Sequence, residues 1–230
     1  SNIIPEDHGC HVAGTIAGVR NNGKGLAGIA GGDYAAGKKG VTLMSAQVFQ
    51  GNSTASSFQN AIVWGADNGA VISQNSWGND YDFNHDDVLS AYEKDYALRD
   101  RISSSMAAAI DYFIAYAGCD KDGNQKPGSP MKGGLVVFAA GNYGIANGVP
   151  ASYAPVIAVG ASEMTGRLSS FSNYGSWVDI CAPGESIYSC VASGSYGRLQ
   201  GTSMACPHVS GALALLLSQF GGEGFTNENL

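Results

Sequence analysis

Three short, almost wholly apolar runs constrain this chain more than anything else in it: 135–140 (LVVFAA), 156–160 (VIAVG) and 178–182 (VDICA). A strand with one wet face alternates apolar and polar residues, whereas runs without alternation belong to parallel sheets covered on both faces. Two more stretches, 41–49 (VTLMSAQVF) and 70–76 (AVISQNS), also read as strands. Amphipathic segments lie between them. Residues 56–67 put Phe58, Ile62, Val63 and Ala66 on one helical face, and 103–116 do the same with Met106, Ile110, Phe113 and Ile114. Residues 203–219 are apolar on most sides, as a buried helix would be. A hairpin of 188–192 with 196–200 is expected around Ser193-Gly194. This alternation predicts a three-layer α/β fold with a mostly parallel sheet and helices on both faces.

Composition narrows the classes. With 230 residues, 44% apolar and 13% charged, the chain is long and apolar enough for one large core and is not intrinsically disordered. Its 12 basic against 19 acidic residues give −7, which argues against a nucleic-acid partner. No run of 18 apolar residues occurs, so no membrane span is expected. The opening SNIIPEDHGC has neither the basic nor the apolar part of a signal peptide. Five cysteines leave at least one thiol free, and no C-x-x-C pair suggests zinc or redox chemistry. Cys181 and Cys190 bracket a loop, and sequence leaves their pairing open. Residues 79–101 carry seven acids and three bases without a core face, and read as an acidic surface insertion within one domain spanning 1–230.

Four strings carry chemistry: His8-Gly-Cys-His-Val-Ala-Gly-Thr, Ser73-Gln-Asn-Ser-Trp-Gly, Ala139-Ala-Gly-Asn142 and Gly201-Thr-Ser-Met-Ala-Cys-Pro-His208. Ser203 sits between a glycine turn and an apolar helix, where the positive helix end favours developing negative charge. His8 opens a helix of small residues that could project a base. Asn142 follows a strand through Gly141, and an amide there can donate to an oxyanion.

In this order the strings (HG-x-HVAGT, S-x-G, AAGN, GTSMA-x-PHV-x-G) resemble the subtilisin-like serine proteases over nearly 200 residues. The resemblance implies an endopeptidase working through an acyl-enzyme on Ser203, with His8 as general base. Asn142 and the Ser203 N–H would form the oxyanion hole. It also implies that extended polypeptide substrate pairs with Ser76, Trp77 and Gly78 on one edge and Gly51 on the other. Ala139, Gly141, Gly148 and Ala151 would line the first specificity pocket. His11 and His208 are expected to be structural. A non-catalytic peptide-binding pseudoprotease or interaction module is the alternative.

The family's aspartate, which precedes its histidine by roughly 30 residues, has no counterpart here, because only seven residues precede His8 and Asp7 is badly placed to orient it. The expectation is therefore a subtilisin-like fold incomplete at both ends and nearly inert alone. A propeptide or second chain could supply the acid-bearing strand. No cofactor is required. The run Arg20 to Leu26 is similar to the family's calcium loop, with Asn22 as side-chain ligand; the competing explanation is a plain Asn-Gly turn, with Lys24 opposing a cation. An extracellular or periplasmic location is inferred from the resemblance.

Overall fold

The structure, a computed structural model, describes residues 5–49, 54–79 and 101–230. Its elements are α1 (Asp7–Ala17), α2 (Ala55–Asp67), β1 (Ile72–Asn75), α3 (Ser104–Tyr116), β2 (Leu135–Ala139), β3 (Ile157–Ser162), β4 (Ile180–Pro183), β5 (Ile187–Cys190), β6 (Tyr196–Leu199) and α4 (Thr202–Phe220). The strands β1-β2-β3-β4 lie side by side in that order and are all parallel. Strands β5 and β6 form the antiparallel hairpin, with Cys190 opposite Tyr196.

The period of two along β2 explains the layers. Val136 and Phe138 face α2 and α3, joining Ile62, Ala66, Ile110 and Phe113 in one core. Val137 and Ala139 face the other way, onto Ala205, Cys206, Val209 and Leu213 of α4. Helices thus cover both faces, as the apolar runs required. Phe113 and Phe138 are buried, and truncating either to alanine should cost about 3–5 kcal/mol. Helix α1 packs on α4 through Val12, Ile16 and Met204. The Ser103 hydroxyl caps α3 by accepting the Met106 N–H.

One expected strand is missing. Residues 41–48 have no strand assignment, and Val41, Leu43 and Met44 stay exposed. A strand is stabilised by its neighbours, and no strand lies beside this segment among the described residues: β1 is the last strand on that side of the sheet. Between 41–49 and β1 lies a groove of about 1710 Å³, lined also by Ile62, Leu215 and Leu217. The core of the acidic segment (80–100) and Gly51 lie outside the described residues.

Candidate active site

In open α/β sheets, sites form beyond the carboxyl ends of the strands. Here β1 leads into Ser76-Trp77-Gly78, and β2 leads into 140–148. These two segments and the first turn of α4 enclose a pocket of about 100 Å³. Its lining includes Trp77, Gly78, Ala139, Gly141, Asn142, Gly148 and Ser203.

The geometry of α4's start follows from its sequence. Gly201 has φ +142°, a conformation that only glycine takes easily, and it offers no side chain to cap the helix. The cap comes from across the pocket. The Oδ1 of Asn142 accepts both the Thr202 N–H at 2.8 Å and the Thr202 hydroxyl at 2.9 Å. Thr202 Oγ1 in turn accepts the Gly141 N–H at 3.1 Å. With its oxygen fixed this way, Asn142 can present only its Nδ2 donors to other groups. The Ser203 N–H, in the first helical turn, takes no partner among the described residues, as expected of an N-terminal helix donor.

Pro207 explains a second contact. It has no N–H to give to the carbonyl four residues back, which is that of Ser203. The Ser76 hydroxyl donates to that carbonyl instead, at 2.8 Å, and itself accepts from Gln74 Nε2 at 2.6 Å. The Ser203 hydroxyl donates to the Ser76 carbonyl at 3.3 Å. One turn further on, Cys206 is buried, and that burial pushes its thiol up to about 11, so it stays protonated and unreactive.

His8 stands in the first turn of α1, one turn before Val12 and on the same face. It lines the large groove, which shares Trp77, Gly78 and Tyr143 with the pocket of Ser203. No bond joins His8 to Ser203 among the described residues. Desolvation, with a smaller contribution from nearby His11, lowers the His8 pKa below the ordinary imidazole value. Asp7 is engaged elsewhere, accepting the Ala192 N–H at 2.9 Å. His11 is buried and hydrogen-bonded through Nε2 to the Ile187 carbonyl at 2.8 Å. His208 Nδ1 bonds the Met204 carbonyl at 2.8 Å.

Some residues lie apart from this centre. Ala151, expected in the pocket wall, is buried in the core cluster that holds Phe138 and Val156. Cys181 and Cys190 are both free thiols. The side-chain oxygen of Asn22, the expected calcium ligand, accepts the Lys24 N–H at 3.0 Å in an Asx turn. The adjacent carboxylate of Asp33 is taken up by Asn21, Ala36 and Arg20. No cluster of three or more metal-ligating side chains occurs among the described residues. Thr202 and Asn173 escaped the sequence reading. A hydroxyl residue just before the serine was a usable signal for Thr202, whereas nothing local marks Asn173.

The model of the Subtilase family matches residues 5–230. A thermophilic serine proteinase from Bacillus sp. (strain AK1) is 36% identical over 214 residues, covering 93% of this chain and 43% of that protein. Thermitase from Thermoactinomyces vulgaris is 34% identical, covering 92% of this chain and 61% of that protein. Among solved structures, a cold adapted subtilisin-like serine proteinase superposes with a TM-score of 0.60 at 30% identity, covering 94% of this chain and 63% of that one. The prenylagaramide maturation protease PagA superposes with a TM-score of 0.64 at 28% identity, covering 92% and 64%. The chain therefore spans less than two thirds of the length of these relatives.

Proposed function

The chain belongs to the subtilase family, and on that premise we propose that it forms part of one peptidase domain that hydrolyses peptide bonds through an acyl-enzyme on Ser203. The observation that carries this is the lock of Asn142 by Thr202, beside Ser203 at the head of α4. It leaves the Asn142 amide and the Ser203 N–H as two donors on one pocket, the requirement for an oxyanion hole. His8, kept neutral by burial, takes the serine proton and returns it to the leaving amine. The acyl group then leaves by attack of water. Trp77, Gly78, Ala139, Gly141 and Gly148 hold the residue before the scissile bond, while residues 76–78 pair with the substrate backbone. All of these groups are supplied by the protein.

His8 still needs a carboxylate to orient it. We propose that this acid arrives on a β-strand seated in the groove between β1 and residues 41–49, supplied by further polypeptide, a propeptide or a second chain. The side of β1 that no strand covers among the described residues, and the exposed Val41, Leu43 and Met44, support such an occupant. Without the acid, turnover should fall on the order of 10⁴-fold, about 5.5 kcal/mol, as measured in subtilisin. An extracellular or periplasmic setting accords with the family, and no described helix is long and apolar enough to cross a membrane.

A fluorophosphonate probe tests the assignment. Covalent labelling of Ser203, lost in Ser203→Ala, is the expected result once the acid is supplied. Failure to label that form would favour a peptide-binding module without catalysis.

A further inference from the structure

Asn173 lies far from the signature strings and is fully buried. Its side chain makes four hydrogen bonds, all to the segment that carries Asn142. Nδ2 donates to the carbonyls of Ala140 at 3.1 Å and Asn147 at 2.8 Å. Oδ1 accepts the N–H groups of Tyr143 at 2.8 Å and Ile145 at 3.4 Å. Its own backbone N–H adds a fifth bond, to the Gly141 carbonyl at 2.9 Å. The partners flank Asn142 on both sides and reach Asn147, next to the Gly148 wall of the pocket. Gly141 fits the same scheme: its φ is +108°, and a Cβ there would lie 2.3 Å from Asn173 Nδ2. The loop is thus wound around one carboxamide, with its glycine pressed against it.

We propose that Asn173 is a positioning residue for the oxyanion hole. It holds the 140–147 loop so that Asn142 is presented at the pocket, where Thr202 locks its amide. The chemistry suits the task, because a carboxamide alone among side chains offers two donors and two acceptor sites in one plane. Truncation removes the donor to two carbonyls and the acceptor of two N–H groups. An aspartate of the same shape keeps the acceptor side but turns a carboxylate oxygen towards two carbonyls. This inference rests on the assignment of Asn142 as oxyanion donor.

The test measures kcat and KM in the catalytically competent protein, acid strand included, for Asn173→Ala, Asn142→Ala and the double variant. Asn173→Ala should lower kcat about 100-fold, the low end for a lost oxyanion donor. In the Asn142→Ala background it should lower kcat by less than about 5-fold, because the group it positions is already gone. A loss of about 100-fold in both backgrounds would show general support of the fold and overturn the proposal. So would a loss under about 3-fold in the otherwise unaltered protein. If Asn142→Ala itself left kcat unchanged, the oxyanion assignment would fail, and this inference with it. Should Asn173→Ala not accumulate as folded protein, Asn173→Asp carries the same expectation, with thermal melts confirming that it is folded.

Discussion

On the pocket side of the candidate site, residues 140–147, 173 and 202 are tied together by side-chain hydrogen bonds between 2.8 and 3.4 Å long. On the opposite side, residues 41–48 run past a groove of about 1710 Å³, with Val41, Leu43 and Met44 exposed. The first region closes on itself. The second leaves its apolar side chains uncovered among the described residues. The difference matches the proposed chemistry. Donors for an oxyanion must be fixed before the charge develops, so their support belongs within one cooperative unit. The general base needs one oriented imidazole, and the group that orients it can come from elsewhere.

The largest expected effect tests the closed region. Ser203→Ala should reduce turnover about 10⁶-fold in the competent protein, the size seen in subtilisin. A loss below about 100-fold, measured on a chromogenic peptide, would place the nucleophile elsewhere. The next tests the open region. Supplying a strand that carries an aspartate, fused or in trans, should raise turnover of the 230-residue chain on the order of 10⁴-fold. It should also raise the melting temperature by covering Val41, Leu43 and Met44. Leu43→Asp should abolish both gains while leaving the melting temperature of the uncomplemented chain almost unchanged, since Leu43 is exposed there. Gains that survive Leu43→Asp would put the strand outside this groove.

Much of this contrast was legible in the sequence, and the part that was not has a physical reason. β2 and β3 could be read because full burial on both faces leaves only apolar residues, whatever the neighbours do. Residues 41–49 misled because they carry a strand's pattern, yet strand formation depends on a partner that the pattern cannot supply. Ser203 and Asn142 stood out by their strings. Their supports did not, because each support acts across a long sequence separation: Asn173 on a loop some 30 residues earlier, and Ser76 on a carbonyl that Pro207 leaves without its helical donor. Only the proline hinted that one carbonyl of α4 would need an outside partner.

A smaller effect probes the lock itself. Thr202→Val keeps the shape but removes the hydroxyl that donates to Asn142 Oδ1 and accepts from the Gly141 N–H. The backbone bond from Thr202 N to Asn142 remains, so kcat should fall only about 10-fold, in line with one or two hydrogen bonds. An unchanged kcat would mean that the backbone bond alone orients the amide.

The smallest effect concerns acid. The pKa values of His8 and His208 are both lowered first by burial; the charge of His11 adds to this, and the Met204 carbonyl partly opposes it at His208. The fold therefore resists protons that the unfolded chain accepts near pH 6.5. Unfolding takes up protons in that range, so stability falls as pH drops through about 6.5. His208→Gln should flatten the melting temperature profile between about pH 7 and 5. Supplying the carboxylate should then move His8 the opposite way, raising its pKa because an adjacent negative charge favours the imidazolium. Titration of the His8 ring protons by NMR, with and without the acid strand, reads this directly. No upward movement on adding the strand would mean that its carboxylate does not reach His8, and the two sides of the cleft would not meet in the way that hydrolysis requires.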